Sequence, residues 1–417
     1  MHKIRVSVVS ATHSRGGAGK AAFRIAAALS RKKQVEISFF HAEDRASTDI
    51  MVGLKRPMSR PFNAAMARLM GPMHTKDFGF AARLLALSKE TDVFHLHNLH
   101  GYYLNYIKLL THIKKRPIVW TWHDMWGATG RCAFSMECDR WVSGCQKCPH
   151  KDFYPAAWVD RARNEYKAKT KLFGTLSYLT IVTPSDWLKT VAVQRGFSEE
   201  IIRVIPNCID AEFFRHVDEN YAKNQLGLDS NKRYLLFVAA DCSDPRKGFA
   251  DFIEVISMLG ASGIAIGRPV SSQFKNVDQV GFVTDPSRLA LFYNACDAML
   301  LPSLGDNYPN TVVEALSCGT PVFGYDVGGV SSQIPNPENY LVKVGDYRGL
   351  ACLVEAWKKA PLDTKKSRMQ LRAYAKAKWA PAVISEAYLS VYRDALGSVE
   401  TKSYEGEVGR YGTTMDG

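Results

Sequence analysis

The sequence lacks any run of apolar residues that reaches the roughly 18 needed for a membrane-spanning helix. Its first residues, MHKIRVSVVSATHS, contain one short apolar run that passes directly into polar residues. This pattern indicates a first β-strand rather than a secretory signal. The lack of a membrane-spanning run argues against a helical membrane protein. Together with the lack of a secretory signal, it predicts that the chain stays in the cytoplasm.

Acidic residues are in deficit, since 41 Asp and Glu stand against 54 Lys and Arg, which gives a formal net charge of +13. Such a charge suits nucleic acid, an anionic membrane surface or a phosphorylated substrate. The sequence has no long basic run with interleaved aromatic residues, and this argues against nucleic acid. Basic residues between Leu54 and Lys89 are mixed with Met, Phe and Leu on two predicted helices. These form either two ordinary packed helices or a face that contacts an anionic membrane.

Four of the nine cysteines fall in one irregular segment, Met125–Pro155, with the spacing C-x5-C-x6-C-x2-C. They are Cys132, Cys138, Cys145 and Cys148. In a cytoplasmic chain, clustered cysteines indicate a metal or free thiols before disulfides. Four thiolates suit a structural tetrahedral zinc ion and leave no open position for catalysis. Buried reduced thiols and a labile disulfide remain the alternatives.

Standard glycine-rich phosphate signatures are also missing. The stretch Ser14–Lys20 matches neither the Walker pattern nor Gly-x-Gly-x-x-Gly. It nevertheless lies between a predicted strand, Lys3–Ser10, and a predicted helix, so that Gly16 and Gly17 form either a tight packing turn or a ligand loop. Strands and helices alternate along the rest of the chain. This predicts an α/β protein of two doubly wound domains.

Two predicted strands of the first half, Asp92–His97 and Pro117–Thr121, end in or next to histidines. Ligands gather at the carboxyl ends of strands in open α/β sheets. The candidate residues at this edge are His95, His97, Asn98, His123 and Asp124.

The stretch PSLGDNYPNTVVEALSCGTPVFGYDVGG, Pro302–Gly329, predicts a strand end, a polar loop, a short helix, a second strand and a glycine turn. Asn310 is the predicted N-cap and Gly319 the predicted stop. N–H groups at the start of the helix would bind phosphate, and Glu314 would accept two hydrogen bonds from a sugar diol. The combination predicts a nucleotide with a diphosphate. Arg246-Lys247, in a strand-to-helix loop of the same half, would neutralise it or form a solvated turn.

These motifs resemble the retaining glycosyltransferases of family 4, which have the GT-B fold. Asp306 and Glu314 occupy the E-x7-E pattern of that family, and the hinge from Pro206 to Asp210 and the turn Pro245–Gly248 also match. The glycine loop, the Trp-His-Asp run at 122–124 and the cysteine segment resemble a narrower branch. That branch contains the colanic-acid and exopolysaccharide transferases of bacteria.

The resemblance implies two Rossmann-like domains facing a central cleft. Residues 1–205 would form the acceptor-side domain with the insertion 125–155, and residues 206–378 the nucleotide-sugar domain. A helix over 379–396 would return to the first domain, and the tail 397–417 is predicted to be disordered.

The resemblance also implies roles for individual residues. Glu314 would bind the ribose hydroxyls, and Asp306 would lie near the donor sugar. Arg246 and Lys247 would balance the diphosphate charge, and His123 would contact the donor sugar. The further substrate contacts would be Gly16, Gly17, Asn307, Tyr308, Asn310 and Thr311. No cofactor is required for catalysis, and the only metal expected is structural zinc.

The implied reaction moves a hexose from a UDP- or GDP-type sugar to a lipid-linked oligosaccharide, with retention, in bacterial exopolysaccharide biosynthesis. A nucleotide-sugar epimerase or hydrolase of the same fold is the alternative, and a non-enzymatic zinc module is the third hypothesis. Two departures from the family pattern stand out. The first motif acid is Asp306, one methylene shorter than Glu, and Asp241 stands where many relatives carry arginine.

Overall fold

A computed structural model of the chain describes residues 3–13, 16–43, 48–54, 60–71, 80–359 and 364–411. The residues group into two compact units by their contacts. The first unit comprises Met1–Pro184, Leu188–Ile205 and Ile384–Gly417, and the second comprises Ser185–Trp187 and Pro206–Val383. Each unit is built on one parallel sheet, as the α/β prediction requires.

The sheet of the first unit has seven parallel strands in the order β3-β2-β1-β4-β5-β6-β7. The strands are β1 (Ile4–Ser10), β2 (Val35–His41), β3 (Met51–Gly53), β4 (Val93–Leu96), β5 (Ile118–Thr121), β6 (Leu179–Thr183) and β7 (Ile202–Val204). The helices are α1 (Gly16–Ser30), α2 (Arg60–Met70), α3 (Phe80–Leu87), α4 (Tyr106–Ile113), α5 (Ala162–Phe173) and α6 (Asp186–Gln194). Every residue of β4 and β5 is buried, which explains why apolar residues occupy all their positions except His95 and Thr121.

The sheet of the second unit has six parallel strands in the order β10-β9-β8-β11-β12-β13. The strands are β8 (Tyr234–Asp241), β9 (Ser262–Arg268), β10 (Val277–Gly281), β11 (Ala298–Leu301), β12 (Val322–Tyr325) and β13 (Leu341–Val342). The helices are α7 (Glu219–Leu226), α8 (Phe249–Leu259), α9 (Pro286–Ala295), α10 (Asn310–Ser317), α11 (Tyr347–Lys359) and α12 (Thr364–Trp379).

Both faces of the second sheet are covered by buried apolar side chains. Leu236 of β8 belongs to one core cluster, whereas its neighbours Leu235 and Phe237 belong to the other. Successive residues of a strand point to opposite faces, so one strand supplies both layers of the core. In each sheet the strand order reverses once, between β1 and β4 and between β8 and β11. Open sheets of this kind bind ligands at such reversal points.

The last helix, α13 (Pro381–Tyr411), belongs to the first unit from Ile384 onward. The hydroxyl groups of Tyr388 and Tyr392 contact Thr121 at 2.9 Å and His95 at 2.7 Å, so the helix is tied to β5 and β4. It continues past Leu396, where the sequence analysis places the start of a disordered tail. No proline interrupts the sequence up to Tyr411, and residues 412–417 lie outside the described part of the chain.

Three short elements are not predicted by the sequence, namely α7 and the two edge strands β3 and β13. Strands of two or three residues are too short to show an alternating pattern, and α7 is mostly polar. The two helices predicted between Leu54 and Lys89 are found as α2 and α3. Among the described helices, none combines the length and the apolar composition that a bilayer crossing requires.

Candidate functional site

The loops that follow β8 and β11 meet at the strand-order reversal of the second sheet. The amide of Leu304 donates to the carbonyl of Arg246 at 2.7 Å, which joins the two loops. Gly248 has φ +69°, and a Cβ added there would lie 1.8 Å from the carbonyl oxygen of Pro302. Only glycine permits this approach, so the Pro-Arg-Lys-Gly turn is fixed against the end of β11.

Lys247 and Asp306 form an ion pair across these loops. The distance from Lys247 Nζ to Asp306 Oδ2 is 2.5 Å, and the side chains are 22% and 9% exposed. The shortened acid of the motif therefore still reaches the cation of the neighbouring loop. An ammonium group has three donors, so Lys247 can hold Asp306 and still donate to a second anion.

Arg246 is held by the turn that carries it. Its guanidinium donates to Asp244 Oδ2 at 2.6 Å, and the carbonyl of Gly305 lies 3.5 Å from it. Asp241, the second departure from the family pattern, accepts from Ser243 and pairs with Arg268 Nη1 at 3.0 Å. The hydrogen bond from Ser243 and the charge of Arg268 lower the pKa of Asp241, although partial burial opposes them. Arg268, which no sequence motif indicates, thus balances the charge of Asp241.

The start of α10 differs from the prediction by one residue. Pro309, not Asn310, occupies the N-cap, and no side chain caps this end of the helix. Asn310 is the first helical residue, and its Oδ1 accepts from Asn207 Nδ2 at 2.9 Å. Proline has no acceptor in its side chain, so the N-cap residue offers no side-chain acceptor to the first-turn N–H groups. The half-buried Thr311 follows in the same turn.

Glu314 lies in the second turn of α10 and is 4% exposed. The hydroxyl of Tyr293, at the end of α9, donates to Glu314 Oε2 at 3.2 Å. A buried carboxylate needs such donors because burial without them is unfavourable. Sequence reasoning found the acid but not Tyr293, whose partner is 21 residues away and on another helix.

Asn307 and Tyr308 are buried in the loop before α10. The Tyr308 ring belongs to the apolar core, and its hydroxyl accepts from Trp379 Nε1 at 2.8 Å. Only the backbone of Tyr308 is therefore available to a ligand. The same loop requires the two glycines of the turn after β12. A Cβ on Gly328 or Gly329 would collide with the carbonyl oxygen of Asp306 or Asn307, respectively.

In the first unit, His123 stands against His97. His97 Nδ1 and His123 Nε2 are 2.8 Å apart, and the rings stack with centroids 5.1 Å apart. Burial lowers the pKa of His123 to about 4 and that of His97 well below its ordinary value. Both rings are neutral at physiological pH, so one nitrogen of the pair donates and the other accepts.

Two other candidates at this edge, His95 and Asp124, are each held by partners within the first unit. His95 is fully buried between Tyr392 and Thr121, at 2.7 and 2.8 Å, so it anchors α13 rather than facing solvent. Asp124 pairs with His100 Nε2 at 2.8 Å. Burial alone would raise the pKa of Asp124, but His100 and the amide of Trp126 outweigh it and lower the pKa.

The glycine loop of the first unit opens α1. Gly16 and Gly17 are exposed, and Gly16 has φ +70°, a conformation that favours glycine. Gly19 serves packing instead, because a Cβ there would lie 2.2 Å from Thr12 Oγ1. The loop thus contains both a packing glycine and two glycines open to solvent.

The four cysteines of the insertion are all reduced thiols in the structure. The amide of Gly130 donates to Cys145 Sγ at 3.0 Å, and Arg131 Nη1 lies 3.8 Å from Cys148 Sγ. Burial raises the pKa of Cys132 to about 12 and also raises that of Cys145. Of the residues that the structure describes, only His13, His41 and Glu43 bring three ligand atoms within 4.8 Å of one another. The structural zinc therefore stays a prediction, and binding would require the sulfur atoms to draw closer.

Two family models match the chain. The model described as Glycosyltransferase Family 4 matches residues 15–213, and the model described as Glycosyl transferases group 1 matches residues 271–378. The first match covers the glycine loop and the histidine edge. The second covers Asp306, Glu314 and the start of α10.

Two curated relatives are glycosyltransferases by name. The putative colanic acid biosynthesis glycosyl transferase WcaC of Escherichia coli strain K12 is 31% identical over 281 residues, which cover 64% of this chain and 67% of the relative. A D-inositol 3-phosphate glycosyltransferase of Acidothermus cellulolyticus is 26% identical over 244 residues, 52% of this chain and 53% of the relative. The chain thus spans two thirds of the first relative and about half of the second.

Solved structures match over almost the whole chain. Sucrose-phosphate synthase from Thermosynechococcus elongatus superposes with a TM-score of 0.72 at 15% identity, covering 95% of this chain and 100% of that chain. Anabaena Alr3699/HepE in complex with UDP gives 0.64 at 16% identity, with 94% and 100% covered. At these identities the similarity shows the fold. Together with the family models and the 31% identical relative, it shows that the chain is a hexosyltransferase of glycosyltransferase family 4 with the GT-B fold.

Proposed function

We propose that this enzyme transfers a hexose, with retention, from a nucleoside-diphosphate sugar to a lipid-linked oligosaccharide in bacterial exopolysaccharide biosynthesis. One observation carries the donor part of the proposal. Two cationic side chains, the start of a helix without a side-chain cap and a buried carboxylate all lie at one strand-order reversal. The relative WcaC is named for colanic acid biosynthesis, which supports the choice of pathway class.

The cations and the helix suit a departing diphosphate. Negative charge develops on the diphosphate as the bond to the sugar breaks, and fixed positive groups stabilise that charge. Lys247 and Arg246 are already held in place by Asp306 and Asp244, so little reorganisation is needed. The first turn of α10 adds N–H donors and the positive end of the helix dipole.

Glu314 suits the ribose of the nucleotide. A carboxylate has two oxygens and accepts from both hydroxyls of a diol. The hydroxyl of Tyr293 donates to one of those oxygens and so holds the carboxylate in a fixed orientation. A UDP-type donor is the first candidate because Anabaena Alr3699/HepE, which shares the fold, has been solved with UDP-glucose.

The roles predicted for Gly16, Gly17 and His123 concern the first unit. The exposure of the two glycines and the neutral ring of His123 are compatible with contacts to phosphate and sugar. A neutral imidazole can donate to one sugar hydroxyl or accept from it, and the stacking on His97 fixes its plane. The retaining outcome rests on the family and is read directly from the anomeric configuration of the product by NMR.

The decisive experiment replaces Lys247 by alanine and measures the release of nucleoside diphosphate from the donor. We expect kcat to fall by about 100-fold, the scale seen when one charge-stabilising donor is removed from an active site. Lys275, an exposed lysine of the same unit, supplies the matched control Lys275→Ala, which should retain wild-type turnover.

A turnover of Lys247→Ala within twofold of wild type would make the diphosphate assignment wrong. A second arm incubates the donor without an acceptor. Rapid formation of an epimer or of free sugar in that arm would favour an epimerase or hydrolase and overturn the transferase proposal.

We further propose that the first unit contacts an anionic membrane surface, where a lipid-linked acceptor would reside. Exposed apolar side chains cluster where the end of α2 meets the loop at 158–159. Leu69 is 46% exposed and Trp158 60%, and the amides of Trp158 and Val159 donate to the carbonyl of Arg68. The Arg68 guanidinium lies 5.9 Å from the Trp158 ring. A cation beside exposed Trp and Leu suits the interface of an anionic bilayer.

A further inference from the structure

Three potential metal ligands lie at the ends of two neighbouring strands of the first sheet. His41 is the last residue of β2, Glu43 follows two residues later, and His13 lies three residues after β1. The strands are parallel and Ser10 is in register with His41, so these residues emerge at the same edge. One ligand atom from each of the three lies within 4.8 Å of the others.

The cluster is held together by short contacts. His13 Nδ1 is 2.6 Å from Glu43 Oε2, which also accepts from the amide of His13 at 2.9 Å. The rings of His13 and His41 have centroids 4.6 Å apart. The side chains of His13 and Glu43 are 11% and 14% exposed, so an ion can reach them from solvent.

His41 itself carries an unsatisfied nitrogen. It is 0% exposed, and its Nδ1 accepts from the amide of Glu43 at 3.2 Å, which places the proton of the neutral ring on Nε2. Nε2 is buried and has no hydrogen-bond partner among the residues that the structure describes. A buried polar nitrogen without a partner is unfavourable, and structures rarely keep one without a reason.

We propose that His13, His41 and Glu43 bind a divalent transition-metal ion, with Zn²⁺ the best match. Two imidazoles and one carboxylate form a ligand set used for zinc when positions are left open for water. Coordination by either nitrogen of His41 breaks the 3.2 Å hydrogen bond from the Glu43 amide to Nδ1. If Nδ1 binds the ion, the ion takes the place of the amide proton. If Nε2 binds the ion, the ring proton moves from Nε2 to Nδ1, which can then no longer accept.

A metal at this position would tether the loop between β1 and α1 to the end of β2. The other side of the loop is already confined, since Thr12 lies against Gly19. Gly16 and Gly17 follow His13 by three and four residues in the sequence. Metal binding would therefore fix the position of His13, close in sequence to the two exposed glycines, whether or not these contact a substrate.

The test titrates the chelator-treated, reduced full-length protein with Co²⁺ and records its visible spectrum. We expect a site with d–d bands but without a thiolate-to-metal charge-transfer band, because its ligands are nitrogen and oxygen. Glu43→Gln and His13→Ala should weaken this site by at least about tenfold. Cys148→Ser should leave it unchanged, which separates it from the cysteine segment. His112→Ala, which alters an exposed histidine on α4, is the matched control.

In the Cys148→Ser background, which removes a ligand of the cysteine segment, zinc should also raise the melting temperature of the parent and of its His112→Ala variant but not that of its Glu43→Gln variant, because the ion stabilises the state that binds it. A cooperative melting transition of each metal-free variant shows that the variant is folded. If His13→Ala does not fold, Glu43→Gln still tests the site, because the Glu43 side chain is partly exposed. The proposal is overturned if folded Glu43→Gln binds cobalt with the wild-type spectrum and affinity. It is equally overturned if all cobalt bound by the wild type shows thiolate charge transfer.

Discussion

At the scale of single residues, the hydroxyl of Tyr293 holds one oxygen of Glu314 at 3.2 Å inside the second unit. We expect Tyr293→Phe to raise KM for the donor by about fivefold, the effect of losing one hydrogen bond of about 1 kcal/mol. The change in kcat should be smaller, because Tyr293 positions the group that binds ribose and does not contact the departing diphosphate in our proposal.

Steady-state kinetics with varied donor measures the split between KM and kcat. Tyr221→Phe, at an exposed tyrosine of α7, is the control and should leave both parameters unchanged. An unaltered donor KM in a Tyr293→Phe variant that melts like wild type would contradict the positioning role.

The sequence predicted which residues belong to the candidate site, but it did not predict which residues they pair with. The motif spacing identified Lys247, Asp306 and Glu314. It gave no sign that Lys247 pairs with Asp306, that Arg268 balances Asp241 or that Tyr293 supports Glu314. These pairs join residues 21 to 59 positions apart on different elements, and only the folded sheet brings them together.

At the scale of elements, the cysteine insertion is ordered by a buried arginine. Arg131 is 3% exposed and donates to the carbonyls of His150, Phe153 and Pro155. These hydrogen bonds join the start of the insertion to its end without using the sulfur atoms. Sequence reasoning saw the four cysteines but not Arg131, since a single arginine in a loop carries no periodic signal.

We nevertheless propose that the four cysteines can hold structural zinc. The amide donating to Cys145 Sγ would stabilise a thiolate, and zinc would displace the protons that the raised pKa values of Cys132 and Cys145 retain. Binding should therefore weaken as pH falls. Elemental analysis of reduced protein purified without chelator should give one zinc more per wild-type chain than per Cys148→Ser chain. Equal zinc contents in the two proteins would contradict this prediction.

The elements themselves followed the sequence closely where their patterns were long. The buried strands and the amphipathic helices were found within a few residues, because apolar periodicity reports burial directly. The cap of α10 was misplaced by one residue, since Asn310 is a good N-cap by type. In the fold its side chain pairs with Asn207, and Pro309 takes the cap position.

At the scale of the whole molecule, the net charge of +13 and the apolar cluster around Trp158 make a membrane-binding prediction. The protein should float with vesicles that contain anionic lipid and dissociate at high salt, because surface charges are screened there. Trp158→Ala or Leu69→Asp should reduce binding by about tenfold, the value of one large apolar side chain removed from water.

Met258→Asp alters a residue of the second unit that is 51% exposed and is the matched control. Equal flotation of Trp158→Ala and wild type would contradict the assigned face. Binding that persists unchanged at high salt would contradict the contribution of charge.

The sequence by itself determined the two α/β units, their longer strands, the glycine positions and the acids of the family motif. It could do so because periodicity, turn chemistry and motif spacing are local properties of the chain. Tertiary structure alone decided that Tyr308 faces the core, that His95 anchors the last helix, and that His13, His41 and Glu43 meet. Those outcomes depend on strand order and register, which bring distant residues to the same edge of a sheet.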